Sequence, residues 1–472
     1  VFTHNNVRSF GSSRLEAGSR SNTIDLIFDL DLNRHSFAGP GGELEDLTES
    51  VYNAEVPGEA GVKWIDKSIE SYNISNRYVD ASGELDGDRY YMTSWAGGMM
   101  GFLYNETLLK NLGIEVPRTT EQLKAACATI KSSDSPLNTT DNGYSFVQAK
   151  DNTYWDYLHD VWWAQYDGID TYRNFWNGYD AATHKRSTKI FDQQGKVETL
   201  KVFRDLLDYG KGYYNPSSST YNFIQSQTLF LQGKAAFAVN GDWFENEMKR
   251  YANQIKEEQG HIDTFKMMRT PIVSALGTKL GITDGELSDI VDYVDGTRAD
   301  EPTFASTAGL TNAKVIAAVR EARTVVFSLG PNHNAVIPKY ANGKQPAIDF
   351  LRFMATDIAN EQYIKSTGGS NLPFRYDVKT KNPELYESLS PLHKERFDYF
   401  ESDAYDAYTL PSPLSFPLVK YGGLAADIDI EWAATFMKQG NTKTPEDFAS
   451  ETKTYWTDEK WRRACNNAGL SV

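Results

Sequence analysis

Gly101-Phe-Leu-Tyr104-Asn105-Glu-Thr-Leu-Leu-Lys-Asn-Leu-Gly113-Ile-Glu-Val-Pro117-Arg-Thr119-Thr-Glu121-Gln-Leu123 holds two helices and the break between them. The first is predicted from Asn105 to Asn111 and is ended by Gly113, a residue free to take the left-handed backbone that closes a helix. Thr119 then caps a second helix, with Glu121 and Gln122 in its first turn. On the N-terminal side, Ile24-Asp-Leu-Ile-Phe-Asp29 is an apolar run of strand length, and Asp86-Gly87 predicts a turn before a second strand. On the C-terminal side, Leu200, Phe203, Leu206 and Leu207 form the stripe of an amphipathic helix. Ala235-Ala-Phe-Ala-Val239 reads as a strand ending in Asn240-Gly241-Asp242-Trp243. The stretch from Pro346 to Ala355 reads as a helix burying Ile348, Leu351, Phe353 and Met354, and the remainder of the chain is mostly helical in pattern. Strands alternating with helices predict an α/β protein with largely parallel sheets.

Composition narrows the function. The chain has 472 residues, with 64 Asp and Glu against 48 Lys and Arg, for a net charge of −16. That sign repels phosphate backbones, and no basic stripe is interleaved with aromatics, so no nucleic-acid partner is expected. No run approaches the roughly 18 apolar residues of a membrane span. The start, Val1-Phe-Thr-His-Asn-Asn, has neither a basic nor an apolar leader region, so any export signal is expected to have been removed. Two cysteines, Cys127 and Cys465, form no CxxC pair, and whether they bond to each other is left open by sequence. Asp29-Leu-Asp31-Leu-Asn33 begins like a calcium loop, but Arg34 and Pro40 occupy the positions of its glycine and closing glutamate. No nucleotide, zinc-protease or serine-hydrolase motif is present, and neither metal nor cofactor is expected.

Aromatic residues are the outlier, at 13% of a chain with a mean hydropathy of −0.53. They cluster in Tyr154-Trp155-Asp156-Tyr157, in Trp162-Trp163 and Tyr166, and again at Trp243. Half of these rings are expected in a core, because Trp155, Trp162 and Trp163 cannot all point one way on a helix. The rest suit a sugar: the apolar face of a pyranose stacks on a ring, while its hydroxyls need Asp, Asn and Arg partners.

Five segments together resemble one family. The opening stretch is similar to the pattern "YN, helix, G, P-x-T, acidic-x-L" of the extracellular solute-binding proteins of ABC sugar importers, whose fold is that of maltose-binding protein. Ile24-Asp25-Leu-Ile-Phe28 with Gly42-Glu-Leu44-Glu-Asp46-Leu47-Thr48 resembles the first-lobe strand and "G-x-L-x-D-L-T" helix. Phe230-Leu-Gln-Gly233-Lys234-Ala235-Ala236-Phe237 with Gly241-Asp242-Trp243 resembles "F-x-x-G-K-A-A-M … G-x-W". Ala347 to Ala355 with Gly368-Gly369-Ser-Asn-Leu372-Pro373 resembles "A-x-x-F-x-x-F-x … G-x-x-P", and Thr444-Pro445-Glu446-Asp447-Phe448 resembles "T-P-E-E-A".

The resemblance implies a two-lobed periplasmic-binding-protein-like fold of type II, with parallel-rich sheets flanked by helices and a ligand cleft between lobes. Residues 1–98 and 270–368 would form the first lobe, with an acidic insertion at 274–323; residues 99–269 and 369–472 would form the second. The chain would cross near Trp95 to Gly101, Met267 to Val273 and Gly368 to Pro373. Mapped by motif, the ligand residues would be Asp29, Asp31, Trp95, Tyr154, Trp155, Asp242, Trp243, Asn332 and Asn371, with Trp95, Trp155 and Trp243 stacking. The implied protein is a non-catalytic monomer that closes on an oligosaccharide and presents it to the transmembrane subunits of an ABC permease. It would work outside the cytoplasm, as a cell-surface lipoprotein or in a periplasm. The alternatives are a glycoside-processing enzyme, or the same fold binding a peptide, polyamine or metal. One departure stands out: the family opens with a strand and a long helix before the segment matched by Ile24, and only 23 residues precede it here.

Overall fold

The computed structural model describes residues 10–472 except 22, 31–36, 80–84, 133–143, 149–152, 181, 184, 329, 331–332, 401–406, 412, 414–415 and 426–431. Nine strands build its two larger sheets: β1 (Ile27–Leu30), β2 (Thr93–Ser94), β3 (Met99–Asn105), β4 (Tyr144–Phe146), β5 (Ala235–Gly241), β6 (Phe265–Met268), β7 (Val325–Ser328), β8 (His333–Val336) and β9 (Tyr408–Thr409). The smaller sheet has the order β1-β8-β2, and the larger β9-β7-β3-β5-β4, with β6 also on β3. The α/β class holds, but the largely parallel pairing does not. Among the described residues, only β7 with β9 and β4 with β5 run parallel in these two sheets; the other ladders are antiparallel. The reason is the route of the chain. It passes from the smaller sheet to the larger through β2 and β3, and returns through β7 and β8. Neighbours at both borders therefore run in opposite directions.

The opening stretch folds as its residues dictate. Asn105 accepts from Leu108 N at 2.9 Å and caps the helix Glu106–Asn111, and Gly113 follows at φ 66°. Thr119 Oγ1 accepts from Gln122 N at 3.2 Å and starts the helix Thr120–Lys131. The Asp86-Gly87 turn is absent: the strand Leu85–Tyr90 runs through both residues and pairs with Arg77–Val79. In the helix Lys344–Met354, Ile348 and Leu351 are buried, but Phe353 is 46% exposed. Two residues beyond Leu351 lie about 200° further round a helix, which turns Phe353 away from the buried face.

The segment 274–323, expected with the first lobe, packs with the larger sheet. Its helices place Leu276, Leu287, Ile290, Val315 and Val319 in one core with Phe102, Trp162 and Phe237. Its acids face inward as well as outward. Asp295 bonds Arg323 at 2.8 Å and Arg269 at 2.9 Å, and Asp292 bonds Arg118 at 2.6 Å. Met267 to Val273, expected as the second crossing, stays with the larger sheet: β6 pairs with β3, Ile272 and Val273 are buried in the larger core, and the chain returns to the smaller sheet through the link from β7 to β8. Cys127 and Cys465 are both buried and free, in separate clusters.

Thr119 is fully buried and also donates from its hydroxyl to Asp284 Oδ2 at 2.9 Å, tying the helix start to the 274–323 segment. Thr119→Ala is expected to cost about 1–2 kcal/mol of stability, measured as a lower urea midpoint with an unchanged slope.

Candidate functional site

The residues Trp95-Ala-Gly-Gly98 link the two sheets, and the expected site residues gather on either side of them. On the smaller-sheet side, Trp95 N donates to His333 O at 3.1 Å, and Trp95 Nε1 donates to Asp29 O at 3.2 Å. The indole meets Phe28 and His333 edge-on, with centroids 5.7 and 5.4 Å away, and stays partly exposed. Asp29 is therefore beside Trp95, but through its carbonyl. Its carboxylate accepts from Gly11 N at 3.1 Å.

On the larger-sheet side, Trp243 follows the end of β5, and its ring lies against Gly98. A Cβ on Gly98 would stand 2.8 Å from the Trp243 ring and 2.6 Å from Asn371 Oδ1. Glycine is needed here for close approach. Asn371 comes to this place from the stretch whose Phe374 packs in the core of the smaller sheet; it takes the left-handed backbone at φ 60°, and its carbonyl accepts from Gly97 N at 2.9 Å. The side chains of Trp243 and Asn371 are both partly exposed. Tyr154 belongs to the same sheet end: its neighbour Tyr157 stacks on Phe327 at 5.2 Å, Phe327 pairs with Met100, and Met100 pairs with Gly241.

Two expected ligand residues are not available to a ligand. Trp155 is 2% exposed and packs among Phe146 and Phe203, because the helix Thr153–Asp167 is covered on more than one side. Trp155 and Trp162 lie in one core and Trp163 in another. Asp242 is fully buried. Its carboxylate accepts from Met99 N and Asn371 N, each at 3.3 Å, and from Arg396 Nε at 3.4 Å. It knots the crossing instead of lining it. Asp31 and Asn332 lie outside the described residues.

The knot extends beyond what sequence indicated. Arg396, on the helix Pro391–Phe400, donates from Nη2 to Leu372 O at 3.0 Å. His393, one turn earlier, meets Glu245 and the Ser390 hydroxyl at 3.2 Å through Nδ1. Tyr72, 1% exposed, meets Ser328 Oγ at 2.5 Å. The only sequence signal for this packing was the Gly97-Gly98 doublet, which marks close backbone approach. Burial lifts the Asp242 carboxyl to about 6 against the pull of Arg396 and the two N–H donors, and burial lowers His393 despite Glu245. A separate open groove of about 620 Å³ beside Tyr293, Ile316 and Arg320 gathers none of the expected residues.

Two partly exposed indoles and an amide at the link between two α/β units suit a solute held between lobes. The model of the bacterial extracellular solute-binding protein family matches residues 11–277, more than half of the chain. The chain belongs to that family. Proteins of Brucella abortus and Brucella suis described only as binding proteins are 25% identical to this family member over 173 residues, 36% of this chain and 37% of their own length. Solved structures share the fold across nearly the whole chain. The sugar-binding protein MalE of Xanthomonas citri has a TM-score of 0.58 at 14% identity, covering 96% of this chain and 88% of its own. A protein described with xylan utilization by Caldanaerobius polysaccharolyticus has 0.57 at 13%, covering 95% and 89%. The acarbose-binding GacH receptor of Streptomyces glaucescens has 0.54 at 16%, covering 97% and 88%. The two-lobed fold follows from these likenesses. Among the described residues, no helix is long and apolar enough to cross a membrane.

The raised Asp242 pKa sets a pH dependence. Because its folded value, about 6, lies above the ordinary 3.8, its contribution to stability is fullest below about pH 4 and is lost as the pH rises through 6. Relative to Asp242→Asn, the parent protein is expected to lose about 1–3 kcal/mol between those limits, measured by urea unfolding of both proteins across the range.

Proposed function

We propose that this solute-binding protein captures a carbohydrate, an oligosaccharide in preference to a monosaccharide, between its lobes and passes it intact to an ABC permease. The observation that carries the reading is the placement of Trp95 and Trp243. They are partly exposed indoles at the two ends of the Trp95–Gly98 link, Trp95 as its first residue and Trp243 against Gly98, with the Asn371 side chain beside the same glycine. Rings of that kind accept the apolar faces of sugar units, and an amide matches hydroxyls that would otherwise lose their hydrogen bonds on leaving water. Sugar-binding proteins among the structural neighbours support the same cargo. Residues 10–94 with 333–375 form one lobe in this reading, and 99–328 with the helices from Pro391 onward the other. The protein works as a monomer outside the cytoplasm, lipid-anchored or periplasmic, and has no catalytic role.

Titration with a panel of neutral oligosaccharides, followed by tryptophan fluorescence and calorimetry, tests the reading. Trp95→Ala and Trp243→Ala are each expected to weaken binding about tenfold, while Trp155→Phe leaves the affinity unchanged. Chromatography is expected to return the glycan intact. Its cleavage would establish an enzyme instead, and tight binding of a short peptide with no glycan response would remove the sugar.

A further inference from the structure

Two of the connections between the lobes close on Tyr72. The helix Glu70–Asn76 places Tyr72 and Asn76 four residues apart, on one face. Asn76 holds the strand ends: its Nδ2 donates to Ser94 Oγ and its Oδ1 accepts from Asn334 Nδ2, each at 3.0 Å. Ser94 Oγ in turn donates to Gly330 O at 2.9 Å. One turn back, the Tyr72 ring fills the space between the outgoing link, at Gly97, and the returning link, at Gly330. A Cβ on either glycine would overlap the phenol, closer than real carbon atoms approach. Neither glycine has a positive φ, so conformational freedom is not what requires them. What they supply is bare backbone against a flat ring. The phenol hydroxyl reaches Ser328 Oγ at 2.5 Å, and that same oxygen accepts from Gly330 N at 3.1 Å.

We propose that Tyr72 is a positioning residue, the bearing on which these two connections turn, and that its ring sets the resting angle between the lobes. This deepens the reading of a receptor that closes on its ligand, and it rests on that closure. The contact suits rotation. Sliding of backbone against the ring itself exchanges one set of weak dispersion contacts for another, while the directional bonds of the links run elsewhere, from Gly97 N to Asn371 O, from Ser94 Oγ to Gly330 O and from Gly330 N to Ser328 Oγ. The ring's own hydrogen bond ends on a serine hydroxyl, which can swivel to follow. Hinges are usually a few residues at the ends of elements, and both links here sit between strand ends.

The test needs no ligand, so it stands apart from the sugar assignment. Gln345→Cys and Lys249→Cys place spin labels on exposed sites of the two lobes. Cys127 and Cys465 are buried, and burial pushes the Cys127 thiol up to about 12, so both stay unlabelled. In the doubly labelled protein, Gly97→Ala and Gly330→Ala are each expected to shift the mean interlobe distance by more than the width of the parent distribution. Tyr72→Phe, which keeps the ring, is expected to leave it in place. Combining Gly97→Ala with Tyr72→Leu, which makes room for the added carbon, is expected to bring the distance back toward the parent value. That rescue separates a bearing from a merely structural core residue. Parent-like distances in both alanine variants would overturn the proposal, as would a shift that Tyr72→Leu leaves uncorrected. If the whole sugar panel failed to bind, these distances would still decide the role of Tyr72.

Discussion

A chain that leaves one unit and comes back to it beside its own outgoing strand must run antiparallel at the border, and most of this architecture follows from that constraint. The outgoing pair of strands and the returning pair sit next to one another in both sheets. Their links are short, so whatever lies between the units is confined to a few backbone segments. Side chains that reach those segments gain leverage over the whole molecule. Trp243 and Asn371 meet at Gly98 for this reason, three residues along the link from Trp95 and from positions far apart in sequence.

The border is polar where most interiors are apolar. The buried carboxylate of Asp242 joins β3, the Asn371 turn and the helix of Arg396. Taking such an ion pair out of water costs about as much as its attraction returns, so it is a poor source of net stability. Its value lies in direction. Each of its oxygens accepts from an N–H of a different chain passage, and a slip of either passage would leave a buried charge unpaired. The segment 274–323 uses the same device, with Asp295 held by Arg323 and Arg269.

Local features were legible in the sequence. The Asn105 and Thr119 caps, the Gly113 stop and the strand from Ala235 depend on neighbours within a few residues, and the structure keeps them. Features set by the route of the chain were not. Parallel pairing was inferred from alternation of strands and helices, which says nothing about which end a strand enters from. The acids of 274–323 showed in sequence only as an acidic insertion, because the arginine partners of Asp292 and Asp295 lie up to 174 residues away. Trp155 could not be told from Trp95 by residue type. A helix covered on two sides buries rings all round, while a ring in a short link keeps an open face. Arg396 and His393 left no local signal, because what ties them to the knot is contact with Asp242 and Glu245, distant in sequence.

The close fit of Tyr72 between two glycines also constrains how this chain can vary over time. Three positions from three separate stretches, 72, 97 and 330, share one small volume, and none can change alone without strain or a void. A side chain gained at either glycine demands a smaller residue at 72. A smaller residue at 72 leaves a gap that one added methyl group only partly fills. In a lineage descending from this protein the three sites are therefore bound to drift as a set, a heritable trace of contacts between segments of sequence as far as 258 residues apart.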